Sequence, residues 1–438
     1  MKVHFLGIGG SGASAAAAIA QAQGFEITGC DLEPHNEFTT HFKKSQLSKG
    51  HDSKHLDCNL EGYSVDILAV TPAIFSLDPD NPELVEAKKK NIPVLTWQQF
   101  VGEYLTKDKF VIAVAGTHGK TTTTAMIGQL LEDANLDPTV LLGAINPKWG
   151  TNYRLSEQTT SDRNYFVIEA DEFNDNFLAI TPDISVVTNI EMDHPEYFKN
   201  LEAVKSSFQK FLLQTKGTII ANLSDPVVKQ TSNVQTRSVH SIIDYSKYLI
   251  DFSLQIPGEF NKWNASAAYQ VGLILRLNPQ IIQKSLSNYT GVGRRFEYIG
   301  KFKGAEIYSD FGHHPTEIKV TMEAARQKFP NQRIILIYQP HMFSRTKALF
   351  NDFVQVFKNL PLDKTFVMDI YPSREMDTGL ITSKQLVKAI NKESVIYIGN
   401  TNQTLDKLKP EIKDGDIVFF MSAGDTDYLA KKLTSSLN

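Results

Sequence analysis

The chain has 438 residues, 42% hydrophobic and 21% charged, with a formal net charge of −4. That length suits roughly three globular domains of about 150 residues each, and the mild charge gives no reason to expect a nucleic-acid or membrane-surface partner. Two cysteines, Cys30 and Cys58, make no disulfide framework, no apolar run is long enough to span a bilayer, and MKVHFLGIGG has no signal-peptide layout, so a reducing cytoplasm is the expected compartment.

The first domain is expected over residues 1–105. Lys2 to Leu6 reads as a strand, and Ala13 to Ala22 as a small-residue helix. Between them Gly7, Gly9 and Gly12 make G-x-G-x-x-G, a turn that lets helix and strand pack closely and lets backbone approach a pyrophosphate. A second strand, Glu26 to Cys30, ends at Asp31, near where a dinucleotide fold keeps its ribose-binding acid. Val65 to Val70 is a further strand, Thr71 to Ile74 a loop, and Val94-Leu95 opens the last strand. Alone, this domain reads as an NAD-binding Rossmann unit, and 107–109 as a linker.

The central domain is expected over 106–295. Phe110 to Ala115 is a buried strand, Gly116-Thr117-His118-Gly119 a tight turn, and Lys120 opens a helix with Thr124, Ile127, Leu130 and Leu131 at helical spacing. Strand, glycine turn, Lys-Thr and helix form a phosphate cradle, although the first Gly of G-x-x-x-x-G-K-[ST] falls on Val114. Lys120 brings a charge to the phosphates, and the Thr121 hydroxyl can ligate Mg²⁺. Two more strands, Tyr165 to Ile168 and Ile184 to Thr188, run into Glu169-Ala170-Asp171-Glu172 and Asn189-Ile190-Glu191-Met192-Asp193-His194. In a parallel sheet these carboxyl ends share one crevice, which would gather Lys120, Thr121, Glu169 and His194. Asn261 and Asn264, one turn apart where an Ala-rich helix begins, can face a base or simply start and pack the helix.

The third domain is expected over 296–438, as strands alternating with helices in a second parallel sheet: Glu306 to Tyr308, Arg333 to Tyr338, Thr365 to Ile370, Val395 to Ile398 and Ile417 to Met421. The loops that follow carry Asp310, His313, His314, His341, Arg345 and Arg374, residues suited to anion recognition.

The motifs HFLGIGGSG, GHDSKHL, AGTHGKTTTTAM, EADE…NFL, TNIEMDH, GVGRRF, GHHPTEI, YQPH…SRT and DIYPSRE, in this order, resemble the Mur ligases of peptidoglycan synthesis over nearly the whole chain. The resemblance is nearest to the members that add alanine. It implies a three-domain α/β fold: a Rossmann-like domain for the UDP-sugar, a P-loop ATPase domain and a Rossmann-like domain for the amino acid. It implies ATP-driven joining of L-alanine to the muramate carboxylate of UDP-N-acetylmuramate through an acyl phosphate, with Mg²⁺ or Mn²⁺, by a monomer or weak dimer. The glycine turn then holds a UDP pyrophosphate rather than NAD. By the same resemblance Gly9, Gly10, Ser11, Gly12, Asp31, His51, Thr71 and Ala73 line the UDP-sugar site. Gly116, Thr117, His118, Gly119, Lys120, Thr121 and Thr122 hold ATP phosphates, Asn261 and Asn264 adenine, and Arg295 and Asp310 phosphate and ribose. Thr121, Glu169 and His194 hold metal, while His314, His341 and Arg345 face the acyl and amino substrates. Lys120 and Arg295 neutralise charge, and His194 and His341 are the candidates to take the amine proton.

Several positions depart from the family pattern. Phe260 replaces a histidine, Ser309 an aspartate, and Met342 an arginine, which leaves Arg345 alone to grip the alanine carboxylate. Gln209 and Lys210 lie near the place where sister ligases carry a carbamylated lysine, and neither is given that role. The rival within the family is a ligase that recycles a whole tripeptide onto the same UDP-sugar. Rivals outside it are an NAD(P)-dependent oxidoreductase, which leaves Lys120, Thr121, Glu169 and His194 unused, and a non-catalytic nucleotide-binding switch.

Overall fold

A computed structural model describes residues 1–57, 65–157, 163–233, 241–377 and 379–435; Cys58, one of the two cysteines weighed above, lies outside the described residues. The chain forms two compact units. One comprises Met1–Glu191, Glu202–Phe252 and Trp263–Tyr289, the other Met192–Leu201, Ser253–Lys262 and Thr290–Asn438. The first unit carries two sheets and the second one, giving a three-domain α/β architecture.

The first sheet is built from β1 (Lys2–Leu6), β2 (Glu26–Asp31), β3 (Leu47–Lys49), β4 (Ile67–Val70) and β5 (Val94–Thr96). Their order is β3-β2-β1-β4-β5, and every pairing is parallel. Strands covered on both faces read as unbroken apolar runs, as β4 does with all four residues buried. The Ser11–Ala22 helix lies close to the sheet because residues 13–20 are small or apolar and buried. Gly12 is needed there, since a Cβ would come within 2.3 Å of the Trp97 ring. The order reverses between β1 and β4, and in open α/β sheets that reversal opens a crevice at the carboxyl ends.

The second sheet contains β6 (Phe110–Ala115), β7 (Thr139–Asn146), β8 (Thr151–Arg154), β9 (Tyr165–Glu169), β10 (Ile184–Val187), β11 (Thr218–Ala221) and β12 (Ser241–Asp244). Their order is β12-β11-β10-β6-β9-β7-β8, parallel except for the antiparallel β7–β8 hairpin. The three strands that precede the expected site residues, β10, β6 and β9, are neighbours, so their carboxyl ends share one edge.

In the second unit β13 (Glu297–Phe302), β14 (Ala305–Asp310), β15 (Ile334–Tyr338), β16 (Lys364–Met368), β17 (Val395–Gly399) and β18 (Ile417–Met421) form a sheet of order β13-β14-β18-β15-β16-β17. It departs from the all-parallel expectation at one edge, where β13 runs antiparallel to β14. The turn between them has Lys303 at φ 48° and Gly304 at φ 82°, two positive values in succession, as a type I′ hairpin turn requires. The Lys-Gly pair was the available signal. Apolar clusters pack on both faces of this sheet, one around Leu336, Phe353 and Phe419, the other around Ile337, Phe366 and Phe420.

Candidate functional site

The phosphate turn sits between β6 and the Lys120–Asp133 helix. Gly116 and Gly119 have φ of 141° and 82°. A Cβ on Gly116 would lie 2.0 Å from Thr188 Oγ1, and one on Gly119 would lie 2.5 Å from Asn264 Oδ1. No side chain fits at either place. The residues after β10 brace the turn: Asn189 Oδ1 accepts from the His118 amide at 2.8 Å, and Thr188 Oγ1 donates to the His118 carbonyl at 2.6 Å. His118 Nε2 faces Glu191 at 3.6 Å.

Lys120 Nζ donates to the Gly116 carbonyl at 2.7 Å and pairs with Glu172 Oε2 at 2.8 Å. Burial works against its charge, but Glu172, Asp171 and Glu169 together hold its pKa above the ordinary lysine value. The ammonium is therefore fixed and charged before any phosphate arrives. Thr121 Oγ1 donates to Glu169 Oε1 at 2.9 Å, and Glu169 Oε2 accepts from the Gly143 amide at 2.8 Å. A hydroxyl and a carboxylate are hard oxygen donors, and both are held in place by the fold. This donor set fits a divalent cation such as Mg²⁺, with a half-buried ammonium beside it for phosphate. Thr122 and Thr117 are buried in the same turn. Asn264 packs against Gly119, while Asn261 Nδ2 donates back to the Pro257 carbonyl at 2.6 Å.

The glycine turn of the first sheet follows β1 and opens the Ser11–Ala22 helix. Asp31, at the end of β2, accepts from the Gly9 amide at 3.0 Å, so the acid expected at a ribose shapes the turn itself. Thr71 presses on Gly7, whose φ is 87°. His51 follows β3, and Thr71 and Ala73 follow β4. Gly9, Gly10, Ser11, Gly12, Asp31, His51, Thr71 and Ala73 thus all lie at carboxyl ends of one parallel sheet.

In the second unit the site residues converge on Asp193, which is 6% exposed. Arg345 Nε donates to Asp193 Oδ1 at 2.8 Å, and the His194 amide donates to the same oxygen at 2.7 Å. Burial pushes the Asp193 carboxyl up, but His194 and Arg345 hold it well below the usual carboxylate range. Arg345 Nη1 meets His341 Nδ1 at 3.2 Å. A guanidinium can only donate, so this nitrogen is the acceptor and the His341 proton belongs on Nε2. Burial first, then His313 and Arg345, push the His341 pKa down to about 2, and burial and Arg345 push His313 to about 3. Both rings are neutral. Arg345 is 1% exposed and committed to Asp193, so it does not stand open to an amino acid as the sequence suggested. Met342 is fully buried, with Sδ 3.7 Å from Arg345 Nη1.

His314 caps the Pro315–Lys328 helix and its Nε2 lies 3.3 Å from the Met192 carbonyl. Asp310 uses both oxygens on backbone, accepting from Gly312 at 2.8 Å and Phe296 at 2.9 Å. It shapes the loop that carries Arg295, whose guanidinium lies over the Phe311 ring and 3.6 Å from Glu317. Glu196 bridges His194 Nδ1 at 3.3 Å and Arg374 Nη2 at 2.6 Å. Sequence reasoning missed the partners: Glu172 under Lys120, Gly143 behind Glu169, and Asp193 under Arg345. Glu172 and Asp193 stand inside the acidic runs EADE and EMDH, but only contacts separate them from their neighbours. Gly143 carried no signal.

Residues 2–109 match the Mur ligase family catalytic domain, 114–249 the Mur ligase middle domain and 294–424 the Mur ligase glutamate ligase domain. The chain is 35% identical to a UDP-N-acetylmuramate–L-alanine ligase of Alkaliphilus metalliredigens, covering 98% of this chain and 96% of that one. It is 33% identical to the ligase of the same name from Aquifex aeolicus, covering 100% and 98%. The crystal structure of the UDP-N-acetylmuramate–alanine ligase from Thermotoga maritima superimposes with a TM-score of 0.77 at 25% identity, covering 100% of this chain and 99% of that chain. A murein peptide ligase from Psychrobacter arcticus shares the fold, with a TM-score of 0.71 at 22% identity. With family domains matched in succession and relatives aligned end to end, the chain belongs to the Mur ligase family.

Proposed function

We propose that the protein is an ATP-dependent, ADP-forming ligase that joins L-alanine to the muramate carboxylate of UDP-N-acetylmuramate, a step in peptidoglycan precursor synthesis. The observation that carries the reaction class is the half-buried Lys120 ammonium beside the Thr121–Glu169 pair, at one edge of a parallel sheet. The full-length relatives, named for this activity, support the substrates.

In this reading the turn from Gly116 to Thr122 receives the ATP phosphates on backbone amides, and Lys120 neutralises charge that builds during transfer. Thr121 and Glu169 would hold one divalent cation, Mg²⁺ or Mn²⁺, and His194 is assigned to a second; these would supply charge neutralisation and alignment of phosphate oxygens. The muramate carboxylate attacks the γ-phosphorus and ADP leaves. The alanine amine then attacks the acyl carbon, and inorganic phosphate departs from the tetrahedral intermediate. The lowered pKa of His341 makes it a poor base, so we give it the task of orienting Arg345, and, with His194 assigned to metal, the amine proton to solvent. Arg295 and Asp310 are assigned to nucleotide contact, Asn261 and Asn264 to the adenine side, and His314 and Arg345 to the acyl and amino substrates, Arg345 acting through Asp193. Gly9 to Gly12, Asp31, His51, Thr71 and Ala73 are assigned to the UDP-sugar, for which their common sheet edge is suited. Domain limits at 1–105, 106–295 and 296–438 go with these roles.

The cytoplasm is the compartment that ATP chemistry and sparse cysteines support, and a monomer or weak dimer is the form assigned; among the described residues no helix is long and apolar enough to cross a membrane. Phosphate release from ATP with UDP-N-acetylmuramate, with L-alanine, L-serine, glycine or the tripeptide added in turn, tests the proposal. L-Alanine should give the highest kcat/KM. A preference for the tripeptide would reject the alanine assignment, and no release with any acceptor would reject the ligase reading.

A further inference from the structure

A second group of ligating side chains lies inside the first sheet's domain, apart from the phosphate turn. His4 sits on β1, Cys30 on β2, His55 in the short helical turn Ser53–Leu56 and Glu83 in the Pro82–Lys90 helix. One donor atom from each lies within 4.8 Å of all the others. Glu83 and His4 are 0% and 1% exposed, and Cys30 is buried. Glu83 Oε1 is crowded: Cys30 Sγ approaches at 3.0 Å, His55 Nδ1 at 3.0 Å and the Asp52 amide at 3.3 Å. Glu83 Oε2 and His4 Nε2 face each other at 3.2 Å and have no partner beyond that contact. A buried pair whose atoms have no other partner leaves both within reach of one shared ligand.

We propose that His4, Cys30, His55 and Glu83 bind one four-coordinate transition-metal ion of the Zn²⁺ class. Imidazole, thiolate and carboxylate together are the ligand types this class selects, and no hard-oxygen cation would choose them. Bond lengths of about 2.0–2.3 Å put ligand atoms of a tetrahedron about 3.3–3.7 Å apart. The Glu83 contacts of 3.0–3.2 Å would need only a few tenths of an ångström of widening, and the remaining donor pairs lie within 4.8 Å. The surrounding shell is oriented for it: His4 Nδ1 lies 2.8 Å from Thr28 Oγ1, a hydroxyl that can accept the ring proton and leave the Nε2 lone pair facing inward. Thiolate ligation releases the Cys30 proton, and His51 Nδ1, 3.3 Å from Sγ, is placed to take it. A bound ion would tie β1, β2, the 53–56 turn and the Pro82–Lys90 helix together and set the position of His51.

The test uses the untagged full chain, stripped of metal and titrated with Co²⁺. One equivalent should produce intense four-coordinate ligand-field bands and a thiolate-to-cobalt charge-transfer band, both displaced by one equivalent of Zn²⁺. Cys30→Ser should lose the charge-transfer band, and Cys58→Ser should keep it. His55→Asn should weaken Zn²⁺ by more than about 100-fold in competition with a chromogenic chelator, since even outer-shell partners are worth about 10–100-fold. His55 is only partly buried, so that variant keeps the test open if Cys30→Ser does not fold. Absence of a sulfur charge-transfer band in the parent chain, its survival in folded Cys30→Ser, or unchanged Zn²⁺ affinity in His55→Asn would overturn the proposal.

Discussion

Lys120 shows how one residue joins stability to chemistry. Its ammonium is half-buried, paired with Glu172 at 2.8 Å and also bonded to the Gly116 carbonyl. Lys120→Ala should lower the ligation rate by about 10²–10³, the usual cost of one preorganised charge contact. It should also destabilise the first unit, because Glu172 is left buried without its cation. UDP-sugar affinity by calorimetry should stay near the parent value, since the glycine turn belongs to a different sheet. Adding Glu172→Gln should recover melting temperature and not rate; a recovered rate would show that Lys120 serves only the fold. The histidines of the second unit give a pH signature. His313 and His341 have folded pKa values of about 3 and about 2, below the unfolded value of about 6.5. Below that value the unfolded chain binds more protons than the native one. Stability is therefore complete above about pH 6.5 and falls as pH drops, by roughly 1.4 kcal/mol per pH unit for each ring. Asp193 adds a second loss lower down: its folded pKa is depressed, so its contribution fades as pH falls below about 3.9. His341→Gln keeps an acceptor for Arg345 and should roughly halve the slope between pH 6 and about 4 in denaturant titrations. An unchanged slope would mean that the ring is not buried neutral.

At the scale of elements, the loop after β15 departs most from its sequence reading. The family resemblance sets an arginine against Met342, which invites the idea that Met342→Arg would restore a carboxylate grip. The structure argues otherwise. Met342 caps the Phe343–Ala348 helix with φ 71°, its amide donates to the Tyr371 carbonyl at 2.9 Å, and its side chain is wholly buried against Arg345. A second guanidinium there would be buried without a carboxylate of its own. Met342→Arg should cost about 3–5 kcal/mol in equilibrium unfolding and should not lower KM for alanine. A stable variant with a lower KM would show that the loop opens in solution. The same loop is held from the next strand: Glu375 Oε2 accepts from the Phe343 and Ser344 amides at 2.7 and 3.0 Å, and residues 341 and 371 bridge. An acidic cap on the first amides of a helix offsets their unpaired donors.

For the whole molecule, two compact units with separate cores imply two cooperative transitions on heating. Scanning calorimetry should give a calorimetric enthalpy well above the van't Hoff value. UDP-N-acetylmuramate should shift only the transition that contains the first sheet, by the mass-action rule for a ligand of the native state. Asp193→Asn should shift only the other. A single transition moved by both would mean that the units unfold as one.

How much of this was legible in the sequence follows from the range of the forces involved. Strands such as Phe110–Ala115 and Ile417–Met421 were readable to the residue, because parallel strands buried on both faces must be continuously apolar. The strand–turn–helix from Phe110 to Asp133 was readable because its glycines, lysine and threonine lie within a few consecutive residues. The edges of the sheets were less so: β8 and β13 pair antiparallel at the rims, where a solvated face weakens the apolar pattern. Side-chain partners were not legible at all. Glu172 under Lys120, Asp193 under Arg345, and the meeting of His4, Cys30, His55 and Glu83 each join residues far apart in the chain. The amino-acid sequence determined the fold class, the order of the domains and the identity of the phosphate turn, since these rest on local pattern. Only the tertiary structure decided which ionisable groups are buried, paired or neutral, because charge and burial depend on what the folded chain brings within a few ångströms.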